Sequence, residues 1–325
     1  MNNPAKNNIF KYIACAMAGA VVAALLGNTA SKNFNPSSQI PCCAVSPKLP
    51  TKTTFAGDEI ALTRSDCRER LDREILAFTY SHTNTLLQIK RANRLFPVIE
   101  PILKQEGVPD DFKYLMIIES NGDIYARSTV GAAGLWQFME ETARSYGLEV
   151  NNHVDERYNI EKATRAACSY LKESYEKYGD WLTVAASYNA GRNSIDKRIE
   201  KQKECKAIDL HLAAETSRYI FRLLAAKTIF AAPGNYGFIL QESDLYPPLQ
   251  AAKEITISSP VKCWPSIAKS HGLTYMQLRE ANPWIRRTEL PGKSDKAYTV
   301  IIPGKGSLNY NPKETKAHCK EWVIK

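Results

Sequence analysis

The sequence predicts a mainly α protein: a large helical domain, then a small α+β domain with a βααβ order of elements. Three observations carry this. Between residues 66 and 235 apolar residues recur at three- and four-residue spacing, and almost no stretch alternates with period two. From residue 255 the pattern becomes short strand, two short helices, short strand. A stretch with Pro247-Pro248 and little periodicity separates the two regions. A chain of 325 residues accommodates one large or two modest domains, and 44% hydrophobic with 24% charged residues is the balance of an ordinary globular protein.

Taken in order, residues 1–30 read as a targeting segment. Lys6 and Lys11 precede an apolar run from Ile13 to Gly27. The run is shorter than the roughly 20 residues of a spanning helix, so it fits a signal peptide cleaved after Ala30. Asn28 departs from the small residue expected three positions before cleavage, which leaves an uncleaved membrane anchor as the alternative. Residues 31–65 are rich in Ser, Thr, Pro and Lys and read as a linker.

The helical domain spans 66–235. A long amphipathic segment from about Thr83 to Glu106 carries Leu86, Leu87, Leu95, Val98, Ile99, Ile102 and Leu103, and Pro97 and Pro101 are expected to split or kink it. Gly107-Val-Pro109 breaks the pattern, and Asp110 is placed to cap the next helix. Residues 160–178 form a further helix. Asp180 caps a shorter one that stops near Gly191, and another covers about Leu210 to Phe230. Residues 236–254 are a connector, 255–304 the small domain, and 305–325 a polar, flexible tail.

The chemistry begins at Glu119. Phe112, Leu115, Met116 and Glu119 fall at i, i+3, i+4 and i+7, so the carboxyl continues an apolar stripe. Partial desolvation and a nearby helix C-terminus both disfavour its ionised form. A carboxyl kept protonated at neutral pH suits a general acid. On spacing alone, a boundary glutamate reaching to water fits as well. Nine residues on, Ser128-Thr-Val-Gly-Ala-Ala-Gly-Leu-Trp-Gln-Phe138 combines close-approach glycines and alanines with the Gln137 amide and the flat faces of Trp136 and Phe138. Ala185-Ala-Ser-Tyr-Asn-Ala-Gly191 and Glu215-Thr-Ser-Arg-Tyr219 follow, with Asp155-Glu-Arg157 between.

In this order and spacing the motifs resemble the catalytic domain of the soluble-type lytic transglycosylases, within it the membrane-bound lytic murein transglycosylase D group. The resemblance covers roughly residues 66 to 235. It implies a goose-lysozyme-like helical fold and non-hydrolytic cleavage of peptidoglycan glycan strands at the envelope, with no cofactor. It makes Glu119 the acid and then the base. Ser128 and Gln137 are implied to bind the muramoyl sugar, and Tyr188 to orient Glu119 or the substrate. Asn189 supports the loop or touches sugar, while Glu215 and Tyr219 line the cleft floor. Each also has a plainer reading: Ser128 as a turn cap, Gln137 bonded to backbone, Tyr188 and Trp136 as core, Glu215 paired with Arg218 or Arg222. Asp155-Glu-Arg157 reads as structural.

Trp264 to Leu273, Gln277 to Pro283 and Val300 to Pro303 resemble a LysM module, which implies binding to N-acetylglucosamine polymers. The Gly-Asp-Thr usual before its first helix is replaced by Pro260-Val-Lys-Cys263, a departure that touches glycan binding rather than the fold. Other classes fit less well. The net charge of +9 is scattered, without the basic blocks of a nucleic-acid partner. Five dispersed histidines and the lack of a C-x-x-C argue against a metal site. Eight cysteines suit an exported chain in which some oxidise. A lysozyme-type hydrolase would need a second carboxylate, for which Glu140, Glu141 and Asp155 are nearest in sequence. A non-catalytic wall-binding protein is the third reading.

Overall fold

The computed structural model describes residues 45–248, 251–258, 260–292 and 296–324. The targeting or anchor segment and most of the expected linker lie outside them. The rest of that linker departs from expectation. Lys52–Phe55 (β1) and Asp58–Ala61 (β2) pair as an antiparallel hairpin, with Phe55, Ile60 and Leu62 buried in the helical core. Composition hid this, because few apolar residues are needed when one face of a two-stranded ribbon is covered by helices.

The helical domain follows as Ser65–Tyr80 (α1), His82–Gln105 (α2), Phe112–Ser120 (α3), Glu140–Ser145 (α4), Ile160–Tyr178 (α5), Trp181–Ala190 (α6), Arg192–Gln202 (α7) and Ala214–Ala231 (α8). Pro97 and Pro101 lie inside α2 without ending it. A buried face with Leu95, Phe96, Ile99, Ile102 and Leu103 outweighs the local cost of proline, about 3 kcal/mol. Asp110 does not cap α3. Its carboxylate pairs with Lys113 (2.6 Å), and the N-cap residue is Asp111, whose own carboxylate is taken by the Ala56 N–H and Lys227. Asp180 does cap α6 through the Thr183 N–H. The last helix begins at Ala214, so Leu210 and Leu212 are buried outside it. A single core joins these helices, and α8 packs against α1, α3 and α6.

The small domain is βααβ. Ala251–Ile257 (β3) pairs antiparallel with Tyr298–Pro303 (β4), and Trp264–Ser270 (α9) and Tyr275–Ala281 (α10) lie between them in sequence. Buried Asn282 ties α10 to β4 by donating to the Leu278 and Ile301 carbonyls and accepting from the Ile301 N–H. The expected connector is partly core: Phe238, Leu240 and Leu245 are buried against the helical domain, and β3 starts within it. The tail also departs from expectation. Residues 315–324 return to the helical domain, where Trp322 packs on Phe96 and Phe230 and donates to the Phe230 carbonyl (2.7 Å). One tryptophan at the end of a polar stretch supplies enough buried area to fix it. Pro47–Lys325 form one compact unit.

Candidate active site

Glu119 occupies the last turn of α3. The helix ends on Asn121 in the left-handed conformation (φ 55°), which the Gln88 amide and the Arg91 guanidinium hold in place. Glu119 is half-buried, and Tyr219 of α8 donates its hydroxyl hydrogen to Oε1 at 2.5 Å. Burial pushes Glu119 up to about 7. The Tyr219 bond and the charge of Arg222 oppose this, and the charge of Glu215 adds to it. The group is therefore poised to be protonated or ionised near neutrality, the condition for moving a proton in either direction.

The structure brings three of the sequence-predicted residues around this carboxyl. Tyr219 touches it. The Tyr188 ring feels its charge, packs edge-on against Tyr170, and donates its hydroxyl hydrogen to the Trp136 carbonyl at 2.6 Å. Glu215 is exposed on the first turn of α8, near enough to act on Glu119 electrostatically. The plainer reading, a pairing with Arg218 or Arg222, is not seen among the described residues. Those arginines face Glu74 of α1, a buried carboxylate that Arg218 meets at 2.8 Å and Arg73 at 3.0 Å, with Arg222 at 3.9 Å.

Ser128 and Gln137 sit on the loop between α3 and α4. Ser128 Oγ accepts from the Ala132 N–H (2.9 Å) and so caps a tight turn. Gln137 is itself left-handed (φ 48°), and its amide nitrogen donates to the Ala126 and Gly134 carbonyls, leaving its side-chain oxygen without a donor among the described residues. Asn189, on the last turn of α6, is partly exposed, and its side chain has no hydrogen-bond partner among the described residues.

The flat apolar faces anticipated at Trp136 and Phe138 are buried, and Trp136 spends its indole N–H on Thr164 (3.0 Å). The exposed apolar side chains of this loop are Tyr125, Val130 and, at its end, Met139, which the motifs did not single out.

The loop is clamped from below by the Asp155-Glu-Arg157 segment. Asp155 and Arg157 form a buried two-pronged ion pair (2.8 and 2.9 Å), and Arg157 Nη1 donates to the Gly131 (2.9 Å) and Phe138 (3.1 Å) carbonyls. Gly134 makes room for this. A Cβ there would lie 1.9 Å from the Arg157 carbonyl oxygen, and its φ of +76° suits glycine. With its charge committed to Arg157, Asp155 is unsuited to activating water. Glu140 pairs with Arg144 at 2.6 Å. Among the described residues Cys67, Cys168, Cys205, Cys263 and Cys319 are free thiols.

Residues 96–210 match the family model Transglycosylase SLT domain. The chain carries an SLT domain. The matched span includes Glu119, Ser128, Gln137, Tyr188 and Asn189, while Glu215 and Tyr219 follow it on α8. Residues 253–306 match the Soluble lytic transglycosylase C-terminal LysM-like domain. The chain is similar to the membrane-bound lytic murein transglycosylase D of Escherichia coli (strain K12), 30% identical over 259 residues, which is 77% of this chain and 55% of the relative. It thus spans about half the length of that relative. A transglycosylase of Enterobacteria phage PRD1 is 30% identical over 138 residues, 42% of this chain and 43% of the phage protein. A putative tributyltin chloride resistance protein of Alteromonas sp. (strain M-1) is 23% identical over 184 residues, 55% of this chain and 84% of the relative.

Proposed function

We propose that the protein is a lytic transglycosylase of the cell envelope. It cleaves the β-1,4 bond between N-acetylmuramic acid and N-acetylglucosamine and leaves a 1,6-anhydro end. The observation that carries the reading is one carboxyl, Glu119, raised to about 7 and fixed by Tyr219 within the SLT domain. Protonated Glu119 gives its proton to the glycosidic oxygen as the C1–O bond breaks. The resulting carboxylate takes the proton of the muramoyl C6 hydroxyl as that oxygen closes on C1. One bond breaks, one forms, and the proton is returned, so water is not consumed and one carboxyl serves both transfers.

The other residues serve binding. The free oxygen of Gln137 accepts the acetamido N–H, and the Ser128 hydroxyl donates to a sugar oxygen while capping its turn. Asn189 and Glu215 offer polar groups to the glycan, and the exposed Tyr125 offers a ring face. Tyr188 holds the loop at the Trp136 carbonyl. The LysM-like domain adds affinity for the wall polymer. An envelope address follows from the substrate and from the N-terminal segment, as a cleaved leader or a membrane anchor.

The test is mass spectrometry of muropeptides released from purified sacculi. Fragments ending in 1,6-anhydromuramic acid, one water lighter than reducing ends and missing with Glu119→Gln, are expected. Ordinary reducing ends would make the enzyme a hydrolase and overturn this reading.

A further inference from the structure

The two hydrophobic cores meet at residues 149–158. Val154 lies in the helical domain's stretch of sequence, yet it is fully buried in the core of the LysM-like domain with Trp264, Trp284, Ile285 and Tyr298. Backbone bonds stitch the junction: the Asp155 N–H donates to the Trp284 carbonyl and the Arg286 N–H to the His153 carbonyl, both at 3.0 Å. The Arg286 guanidinium donates to the Asn151 carbonyl (3.2 Å) and stands 3.8 Å from the Asp155 carboxylate. Tyr298 of β4 donates to Glu149 (3.0 Å). Arg157 donates to both oxygens of the Asp155 carboxylate, and its Nη1 holds the Gly131 and Phe138 carbonyls of the loop bearing Ser128 and Gln137.

We propose that the LysM-like domain is a brace for the active-site loop, acting through Trp284 and Arg286 on Asp155, and through Asp155 on Arg157. The proposal rests on reading the 126–138 loop as substrate-binding. Its physical basis is the coverage of Asp155, which is 0% exposed. An arginine–carboxylate pair out of water is held tightly, whereas the same pair opened to solvent is worth little. Undocking the small domain wets Asp155 and loosens the guanidinium that fixes both sides of the loop. The effect reaches short soluble glycans that need no anchoring to the wall, so it separates bracing from polymer binding. Val154, Trp284 and Arg286 are positioning residues in this scheme and touch no substrate.

The experiment uses the full chain with Arg286→Gln, Val154→Ser and the conservative Arg286→Lys. Amide hydrogen exchange is read in residues 126–138 and in β3 and β4, together with kcat and KM on a soluble four-sugar glycan. In the first two variants exchange in 126–138 is expected to rise about tenfold, with kcat falling more than KM changes, and Arg286→Lys is expected to restore much of both. Exchange in 126–138 unchanged in both variants would overturn the brace. That holds also where Val154→Ser strips protection from β3 and β4, because an unfolded small domain beside an undisturbed loop is the same refutation. If the unsubstituted protein fails to cleave glycan, the catalytic reading falls, and the exchange measurement still decides the brace.

Discussion

The surroundings that favour the proton on Glu119 also tie the fold to pH. Its ordinary value of 4.5 is raised to about 7 by burial. Between these values the unfolded chain releases the proton and the folded chain keeps it. The stabilising contribution is therefore full below about 4.5 and lost as pH rises through about 7. Glu119→Gln carries no such loss. It is expected to match the unsubstituted protein near pH 4 and to exceed it by up to about 3 kcal/mol at pH 8, measured by denaturant unfolding at the two pH values. An equal difference at both would mean that Glu119 titrates normally. On the proposed mechanism the same protonation is expected to make cleavage decline as pH climbs past about 7. Tyr219→Phe removes a donor that favours the carboxylate, so the alkaline limb of the rate profile is expected to move upward while the maximal rate falls about tenfold through lost orientation. A profile that keeps its position would remove Tyr219 from the site.

At the scale of elements, the clamp beneath the loop is the sensitive point. Arg157→Leu leaves the buried Asp155 carboxylate with only the more distant Arg286 (3.8 Å) and should cost about 3–5 kcal/mol. Pairing it with Asp155→Leu should recover part of that, with thermal melts of the single and double variants as the check. Gly134→Ala forces a Cβ into the Arg157 carbonyl and is expected to lower the melting temperature and slow turnover together. Much of this architecture was legible beforehand. Helix α5 showed itself by helical spacing and α6 by its Asp180 cap and its stop near Gly191, because α5 buries a continuous face and α6 is capped by the Asp180 side chain. Helix α7 was invisible because Ile195 is its one fully buried residue, and a helix polar nearly all round leaves no stripe to read. The hairpin and the C-terminal return were missed for a related reason. Each is held by a few aromatic or aliphatic side chains meeting partners far away in sequence. At the site, the motifs implied Tyr188 beside Glu119 and Tyr219 on the cleft floor; they could not show that Tyr219 is the residue bonded to Glu119, that Trp136 is buried, or that Glu74 takes Arg218.

The whole molecule is governed by the route of its chain, which leaves the helical domain, builds the LysM-like domain and comes back. Trp322 closes that route, so Trp322→Ala should destabilise the helical domain by about 3–5 kcal/mol, although it lies at the far end of the sequence. Calorimetry that found only the small domain affected would contradict the packing on Phe96 and Phe230. The return path also changes what proteolysis can do to the small domain. A module hung from one tether is released by one cut. Here a nick in the segment entering the small domain leaves it attached through residues 304–324, and a nick in the departing segment leaves it attached through the entry. Shedding it takes two cuts, which makes the pair of domains a unit that survives the first.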